Sequence, residues 1–291
     1  MIKEIQAKVL LTHTRNPDGW FGVRYNMNLY RGCEHQCIYC DSRSECYGIE
    51  NFADVLVKVN AIELLRKELP RKRIKGTVGT GAMSDPYTPA EARLNMTGQA
   101  LQVIAEFGFP VHLATKSDMV LKDLHTLVEI NKVHASVCFT VTTADDDLAS
   151  KLEPGAPPVS ARFRAMRILS DHGIQVGILM MPILPFIEDS EDNIVQIVTR
   201  AHESGVTFIM PWFGMSLRTG QREYYYDRLD ALYPGLRDQY QRRFGSRYVC
   251  DCNNARRLAQ VFDELRARYG IATDSKHYQP HAAKQLPLFG L

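Results

Sequence analysis

Six short apolar runs, separated by amphipathic stretches, leave this chain few ways to fold. The runs are Asn26–Tyr30, Ile74–Gly79, Val111–Thr115, Ala135–Thr140, Gln175–Met181 and Thr207–Pro211. They are nearly all apolar, as strands are when both faces of their sheet are covered. The stretches between them, Ala61–Leu69, Thr97–Phe107, Leu121–Asn131, Val159–His172 and Asp192–Ser204, space their apolar residues with a helical period. In the first of these, Ala61, Leu64, Leu65 and Leu69 fall on one side. Gly173 and Gly205 follow two of the helices as C-terminal stops. Strand–helix units in series imply a parallel sheet with helices on its outer face. The expected fold is therefore α/β, a partial (β/α)6 barrel of the TIM type. In such barrels the chemistry sits at the C-terminal ends of the strands. Beyond Pro211 the pattern changes, and residues 215–270 are rich in Arg, Tyr and Asp. They read as mostly helical, for example over Tyr224–Leu232 and Ala255–Tyr269. The expected division is an extension over residues 1–24, a barrel over 25–214, a C-terminal helical appendage over 215–280 and a mobile tail over 281–291.

Three cysteines follow the first run: Cys33-Glu34-His35-Gln36-Cys37-Ile38-Tyr39-Cys40. Thiolates hold iron–sulfur clusters, and a cubane has four irons. Three protein ligands leave one iron open to bind a small molecule and pass it an electron. The CxxxCxxC spacing, with an aromatic residue before the last cysteine, resembles that of the radical S-adenosylmethionine (SAM) enzymes. A structural zinc site is the alternative. It needs a fourth ligand, and His35 and Cys46 are the residues that would help complete it. A disulfide fits poorly, because seven cysteines is an odd number and no secretory signal precedes them.

Hydrophobic residues make up 45% of the 291 and charged residues 23%, so a sizeable core can be buried. A net charge of +2 does not by itself point to nucleic acid. The longest apolar run, Ile178–Ile187, contains two prolines and is too short to span a membrane. The expectation is a cytoplasmic protein with no membrane partner, a compartment that suits reduced thiols and a labile cluster.

Polar residues gather where the strands end. Gly79-Thr80-Gly81-Ala82-Met83-Ser84-Asp85-Pro86 follows the second run, and its small residues let backbone approach a ligand closely. Ser84 and Asp85 can bond an amino or carboxylate group; equally, Asp85 or Thr88 can cap the next helix. Lys116, after the third run, can hold a carboxylate as a point charge. Ser136 opens the fourth run. Glu153 can hydrogen-bond ribose hydroxyls and Arg162 can pair with a carboxylate, although a turn and a helix surface explain them equally well. Tyr39 can pack on an adenine ring or simply shield a cluster.

These segments together resemble the spore photoproduct lyase-like branch of the radical SAM superfamily. The resemblance rests on Cys33-x3-Cys37-x2-Cys40, Ser84-Asp85-Pro86-Tyr87-x-Pro89-x-Glu91, Thr115-Lys116-Ser117 and Glu153-Pro154-Gly155, and spans roughly residues 25–215. It implies a [4Fe–4S] cluster on Cys33, Cys37 and Cys40, with SAM chelating the open iron. An external one-electron reductant would then drive cleavage to a 5′-deoxyadenosyl radical. It further implies that Ser84, Lys116 and Ser136 hold the methionine part of SAM. Spore photoproduct lyases carry a hydrogen-donating cysteine two residues before the serine matching Ser84. Here that position is Ala82, which puts the same repair reaction in doubt; Cys138 or a tyrosine would have to substitute.

Two further signals bear on partners. Gln285-Leu286-Pro287-Leu288-Phe289 resembles the peptide by which bacterial repair proteins bind the DNA sliding clamp. The appendage offers Arg218, Arg222, Tyr224, Tyr225, Tyr226, Arg242, Arg243 and Arg247, residues suited to stacking on bases and pairing with phosphates. Interspersed Asp227, Asp230 and Asp238 favour an ordinary helical surface with buried rings. Cys250 and Cys252, one residue apart, read as ordinary thiols. The sequence thus points to a radical SAM enzyme acting on nucleic acid, as in DNA repair. Two alternatives stand beside it, a radical SAM enzyme acting on a protein or small metabolite and a non-catalytic metal-binding protein.

Overall fold

The computed structural model describes residues 1–14, 19–49 and 51–280. The Gln285–Phe289 peptide lies outside them. Six parallel strands run in chain order: β1 (Val23–Met27), β2 (Thr77–Thr80), β3 (Val111–Thr115), β4 (Ala135–Thr140), β5 (Gln175–Met180) and β6 (Phe208–Pro211). Each pairs with its sequence neighbour, so the expected α/β architecture is observed. An antiparallel edge strand, Leu11–His13, adds a seventh member beside β1. Among the described residues the sheet is open, with β6 at the opposite edge, so strand pairing does not close a barrel.

Helices fill the connections. Met96–Glu106, Leu124–Asn131, Val159–Asp171 and Glu191–Glu203 lie close to the expected spans. Side chains set two helix starts. Asp145 Oδ1 accepts from Asp147 N and Leu148 N, and Ser190 Oγ accepts from Asn193 N. Gly173 and Gly205 adopt positive φ at the expected stops. The main core lies between strands and helices, around Val78, Val111, Val137, Phe139, Val176 and Ile209, all fully buried.

The first strand sits three residues earlier than expected. Tyr30 and Arg31 leave the main sheet and pair with Val57 and Leu56 in a small sheet that also holds Ile2–Ile5. The cysteine loop therefore follows this short strand rather than β1 itself. The C-terminal region contains helices over Gln221–Leu232, Leu236–Phe244 and Ala255–Tyr269. It also contains a two-stranded ribbon, Gly214–Ser216 against Val249–Asp251, which the helical expectation missed. Tyr225, Tyr226, Leu229 and Tyr240 form a second core with Cys37, Ile38 and Tyr39, so this region seals the outside of the cysteine loop. No helix among the described residues is long and apolar enough to cross a membrane.

Candidate functional site

A cavity of about 630 Å³ opens at the C-terminal ends of the strands, lined in part by Cys33, Cys37 and Cys40. That volume suits a drug-sized ligand or cofactor. Its wall also includes the Thr80–Asp85 run after β2, Thr115 and Lys116 from the end of β3, and Thr140 from the end of β4.

The cysteine loop is pinned from two directions. On one side, Ile38 N donates to Leu152 O at 2.9 Å and Gly155 N donates to His35 O at 2.9 Å. A Cβ at Gly155 would stand 2.0 Å from Glu34 O, so only glycine lets this turn dock. On the other side, Glu34 N donates to Thr88 Oγ1 at 3.0 Å, and Glu34 Oε2 accepts from Ala90 N at 2.6 Å. Gln221 Nε2 from the C-terminal region donates to Tyr39 O at 2.8 Å. The strand-end run is packed equally closely. A Cβ at Gly81, which has a φ of +104°, would fall 2.0 Å from Ala114 O.

The three thiols are free and lie within electrostatic reach of one another. Burial raises the Cys37 and Cys40 thiols above the usual range. Cys33 is also buried, but a hydrogen bond and charge from His35 outweigh burial and bring it below that range. His35 Nδ1 lies 3.3 Å from Asp85 Oδ2. Burial disfavours the imidazolium, yet Asp85 and Cys33 outweigh that and raise His35 to about 10. Burial likewise disfavours the Asp85 carboxylate, but His35 and the hydrogen bonds from Thr115 and Tyr87 N bring it down to about 2.

Hydrogen-bond accounting separates the candidate SAM residues into two groups. Asp85 accepts from Thr115 Oγ1 at 2.6 Å, Lys116 N at 2.7 Å and Tyr87 N at 2.9 Å, so both oxygens are occupied by the protein. Glu153 and Arg162 are fully buried and pair with each other, and the second Glu153 oxygen accepts from Tyr39 OH. Arg162 also donates to Thr140 O at 3.0 Å and Pro157 O at 2.9 Å. Neither Glu153 nor Arg162 is among the residues lining the cavity. Ser84 and Lys116 differ. Ser84, a lining residue, has its Oγ buried without a hydrogen-bond partner among the described residues. Lys116 makes no side-chain hydrogen bond among the described residues, and its ammonium stands 5.7 Å from the Tyr39 ring centroid. Burial disfavours that charge, but Cys37 and Glu153 outweigh it and raise the Lys116 pKa. Ser136, near the N-terminal end of β4, is in register with the lining residue His112 but does not itself line the cavity, while Ala82 does.

The donor types fit an iron–sulfur cluster with a small cationic cofactor beside it, while among the described residues no three His, Cys, Asp or Glu side chains are drawn together as a ready-made metal site. Soft sulfur donors line the cavity, and so do the Ser84 hydroxyl and the Lys116 ammonium. Of the additional zinc ligands, His35 lines the same cavity between Cys33 and Asp85, whereas Cys46, on the protein surface, accepts from Arg218 Nη1 at 3.4 Å. Cys250 and Cys252 are buried thiols directed at the carbonyls of Arg247 and Ile183. Three residues escaped the sequence reading: Glu34 and Gln221, which pin the loop, and His112, a histidine in an otherwise apolar strand. That unusual placement was the available signal for His112.

Comparison with known proteins agrees with this picture. An uncharacterised protein of Mycobacterium tuberculosis (strain ATCC 25618 / H37Rv) is 28% identical over 271 residues, covering 90% of this chain and 79% of the relative. A radical SAM Nalpha-GlyT isomerase of Pseudomonas phage M6 is 24% identical over 160 residues, covering 55% of this chain and 33% of the relative. Among solved structures, a spore photoproduct lyase variant with dinucleoside spore photoproduct superposes with a TM-score of 0.68 at 16% identity, covering 95% of this chain and 81% of the other. A second such structure, with bound AdoMet and dinucleoside spore photoproduct, gives a TM-score of 0.67 at 15% identity over 92% of this chain and 78% of the other. At these identities the likeness establishes the fold. Residues 27–201 match the radical SAM superfamily profile, and this chain therefore belongs to that superfamily, whose cofactors are a [4Fe–4S] cluster and SAM.

Proposed function

We propose that this protein is an enzyme that cleaves SAM reductively and acts on nucleic acid or a nucleotide-like substrate. The carrying observation is that three free thiols line one cavity together with the Ser84 hydroxyl and the Lys116 ammonium, neither of which has a side-chain hydrogen bond among the described residues. In this reading Cys33, Cys37 and Cys40 hold the cluster, and the open sheet is the superfamily's partial (β/α)6 barrel. When bound, the two cofactors supply a one-electron cleavage of the SAM C5′–S bond and a carbon radical that takes a hydrogen atom from substrate.

The protein's own groups do the rest. Lys116 neutralises the carboxylate of SAM, and Ser84 donates a hydrogen bond beside it. Tyr39 shields the cysteine end with its ring. Glu153 and Arg162 act as a buried strut that holds Tyr39, and through it the loop, in place. Asp85 fixes the β2 and β3 ends against His35 of the loop. The helices over residues 221–244 keep water from the outer side of the thiols. Ala82 supplies no hydrogen atom, so a reaction that ends by returning one to the substrate would need a donor other than a cysteine at this position. The dinucleoside substrate named for the structural neighbours supports the nucleic-acid reading.

Anaerobic reconstitution with iron and sulfide tests this function. The expected result is a reductant-dependent yield of 5′-deoxyadenosine that rises when a thymine-containing oligonucleotide is added. A yield that ignores oligonucleotides would move the substrate to a protein or small metabolite.

A further inference from the structure

Beside the cysteine loop, outside the cavity lining, stands a cation that the functions above leave without a role. Arg43 ends the short turn Asp41–Arg43 that follows Cys40. Asp41 and Ser42 line the cavity and Arg43 does not. Its guanidinium lies over two rings, 3.7 Å from the Tyr224 centroid and 4.5 Å from the Phe52 centroid. Nε donates to Cys37 O at 3.3 Å, and Nη2 donates to Gln36 Oε1 at 2.7 Å. Gln36 Nε2 in turn donates to Cys33 O at 2.6 Å, from a backbone with a φ of +53°. Few residues other than glycine adopt that conformation. The loop thus bends so that Gln36 and Arg43 together grip the carbonyls of two of its own cysteines.

No carboxylate forms an ion pair with Arg43 among the described residues. Asp41, the adjacent acid, accepts from Tyr47 OH at 3.1 Å and Ser216 Oγ at 3.2 Å and meets Arg218 at 3.4 Å. Sulfur faces the guanidinium instead. Burial lowers the Arg43 pKa, and Tyr224 and all three thiols, Cys40, Cys37 and Cys33, act in the opposite direction. A guanidinium remains charged at any working pH. Lys116 also acts on Cys37 and Cys40, but it stands on the cavity wall, where a bound carboxylate would neutralise it. Arg43, off that wall, keeps its charge when the cavity is filled. A cluster on three thiolates becomes more negative when it takes up an electron, and its potential responds to nearby charge.

We propose that Arg43 is a positioning residue that sets the reduction potential of the cluster, holding a permanent positive charge beside the three thiolates so that the reduced form is reached at a less negative potential. In the step concerned the cluster accepts one electron from the external reductant, and no bond forms or breaks. The proposal rests on the cofactor assignment above and adds the group that tunes it.

Potentiometric titration of the reconstituted full chain without SAM tests it, with dithionite as reductant and the reduced cluster read by electron paramagnetic resonance. In Arg43→Gln the reduced-to-oxidised ratio at fixed potential should fall at least tenfold, a midpoint about 59 mV more negative for a one-electron couple. Arg43→Lys, which keeps the charge and loses the planar fork, should stay within threefold of wild type. SAM affinity should change less than twofold in both. An unchanged ratio in cluster-loaded Arg43→Gln would overturn the proposal, and so would equal falls in the two variants, the result for a residue that only braces the loop. Should Arg43→Gln not assemble a cluster, Tyr224→Glu against Tyr224→Gln decides. A carboxylate laid against the guanidinium should lower the ratio at least threefold relative to the glutamine variant, and equal ratios would overturn the proposal. A wild type that assembles no cluster would instead remove the cofactor assignment itself, so the two failures are separately visible.

Discussion

The two ends of the cavity are built on opposite plans. At the cysteine end, Glu34, Asp85, Glu153 and Arg162 are charged residues tied to protein partners, and they hold the loop against two neighbouring segments. Further down the strands, His112 lines the cavity, and among the described residues neither of its ring nitrogens has a hydrogen-bond partner. A group whose bonds are satisfied internally holds a shape. A buried group left unsatisfied is available to a ligand, because leaving it unpaired costs about 1–3 kcal/mol. The same accounting separates residues within the cysteine end. Ser84 and Lys116 keep their polar groups available, while the Asp85 and Glu153 carboxylates do not.

The largest expected effect comes from the thiols. Replacing Cys33, Cys37 or Cys40 by Ala should reduce iron uptake and 5′-deoxyadenosine formation to background, read by iron analysis and chromatography. Wild-type iron content in any of the three would break the assignment of that end. Next is the buried strut. Glu153→Ala leaves Arg162 as an unpaired buried charge and should cost about 3–5 kcal/mol, read by urea unfolding of the cluster-free chain. A loss below about 1 kcal/mol would mean that Glu153 is not a strut, and would return it to the list of cofactor contacts.

Lys116→Ala should weaken SAM binding by about 10- to 100-fold, corresponding to a charged hydrogen bond worth about 1.5–3 kcal/mol, with little change in the unfolding midpoint. Loss of stability without loss of affinity would invert the contrast between tied and available groups. The Asp85–His35 pair predicts a two-sided pH profile. The Asp85 pKa is brought from 3.8 to about 2, so its contribution is present above the ordinary value and fades as pH falls towards 2. The His35 pKa is raised from 6.5 to about 10, so its contribution is complete below 6.5 and fades as pH rises through 10. The cluster-free chain should therefore gain about 2 kcal/mol from Asp85 between acid and pH 5, and Asp85→Asn should remove that acid limb. The smallest effect belongs to Cys46→Ser. Its thiol meets Arg218 on the surface, so iron content and stability should change by less than about 0.5 kcal/mol equivalent.

Much of this fold was readable because local pattern carries it. β3 and β4 were placed to the residue, since each is a continuous apolar run in a sheet covered on both faces. The ribbon over Gly214–Ser216 and Val249–Asp251 was not, because each strand has three residues and its partner lies some 35 positions away. The first strand was misplaced because Tyr30 belongs to a different sheet, whose other strands are Ile2–Ile5 and Val55–Lys58. Site residues followed the same logic. The cysteines announce themselves by spacing. Ser84 and Asp85 are adjacent and both polar, and only their three-dimensional neighbours reveal that one is tied and the other available. Glu153 and Arg162 each looked suited to a ligand, yet they find one another across a turn.

The account depends most directly on what the three thiols do together. Reconstituted without oxygen, the full chain should bind four irons and four sulfides per polypeptide and, with dithionite and SAM, release methionine and 5′-deoxyadenosine in equal amounts. A chain that takes up one zinc instead, or assembles the cluster and leaves SAM intact under reducing conditions, would contradict it.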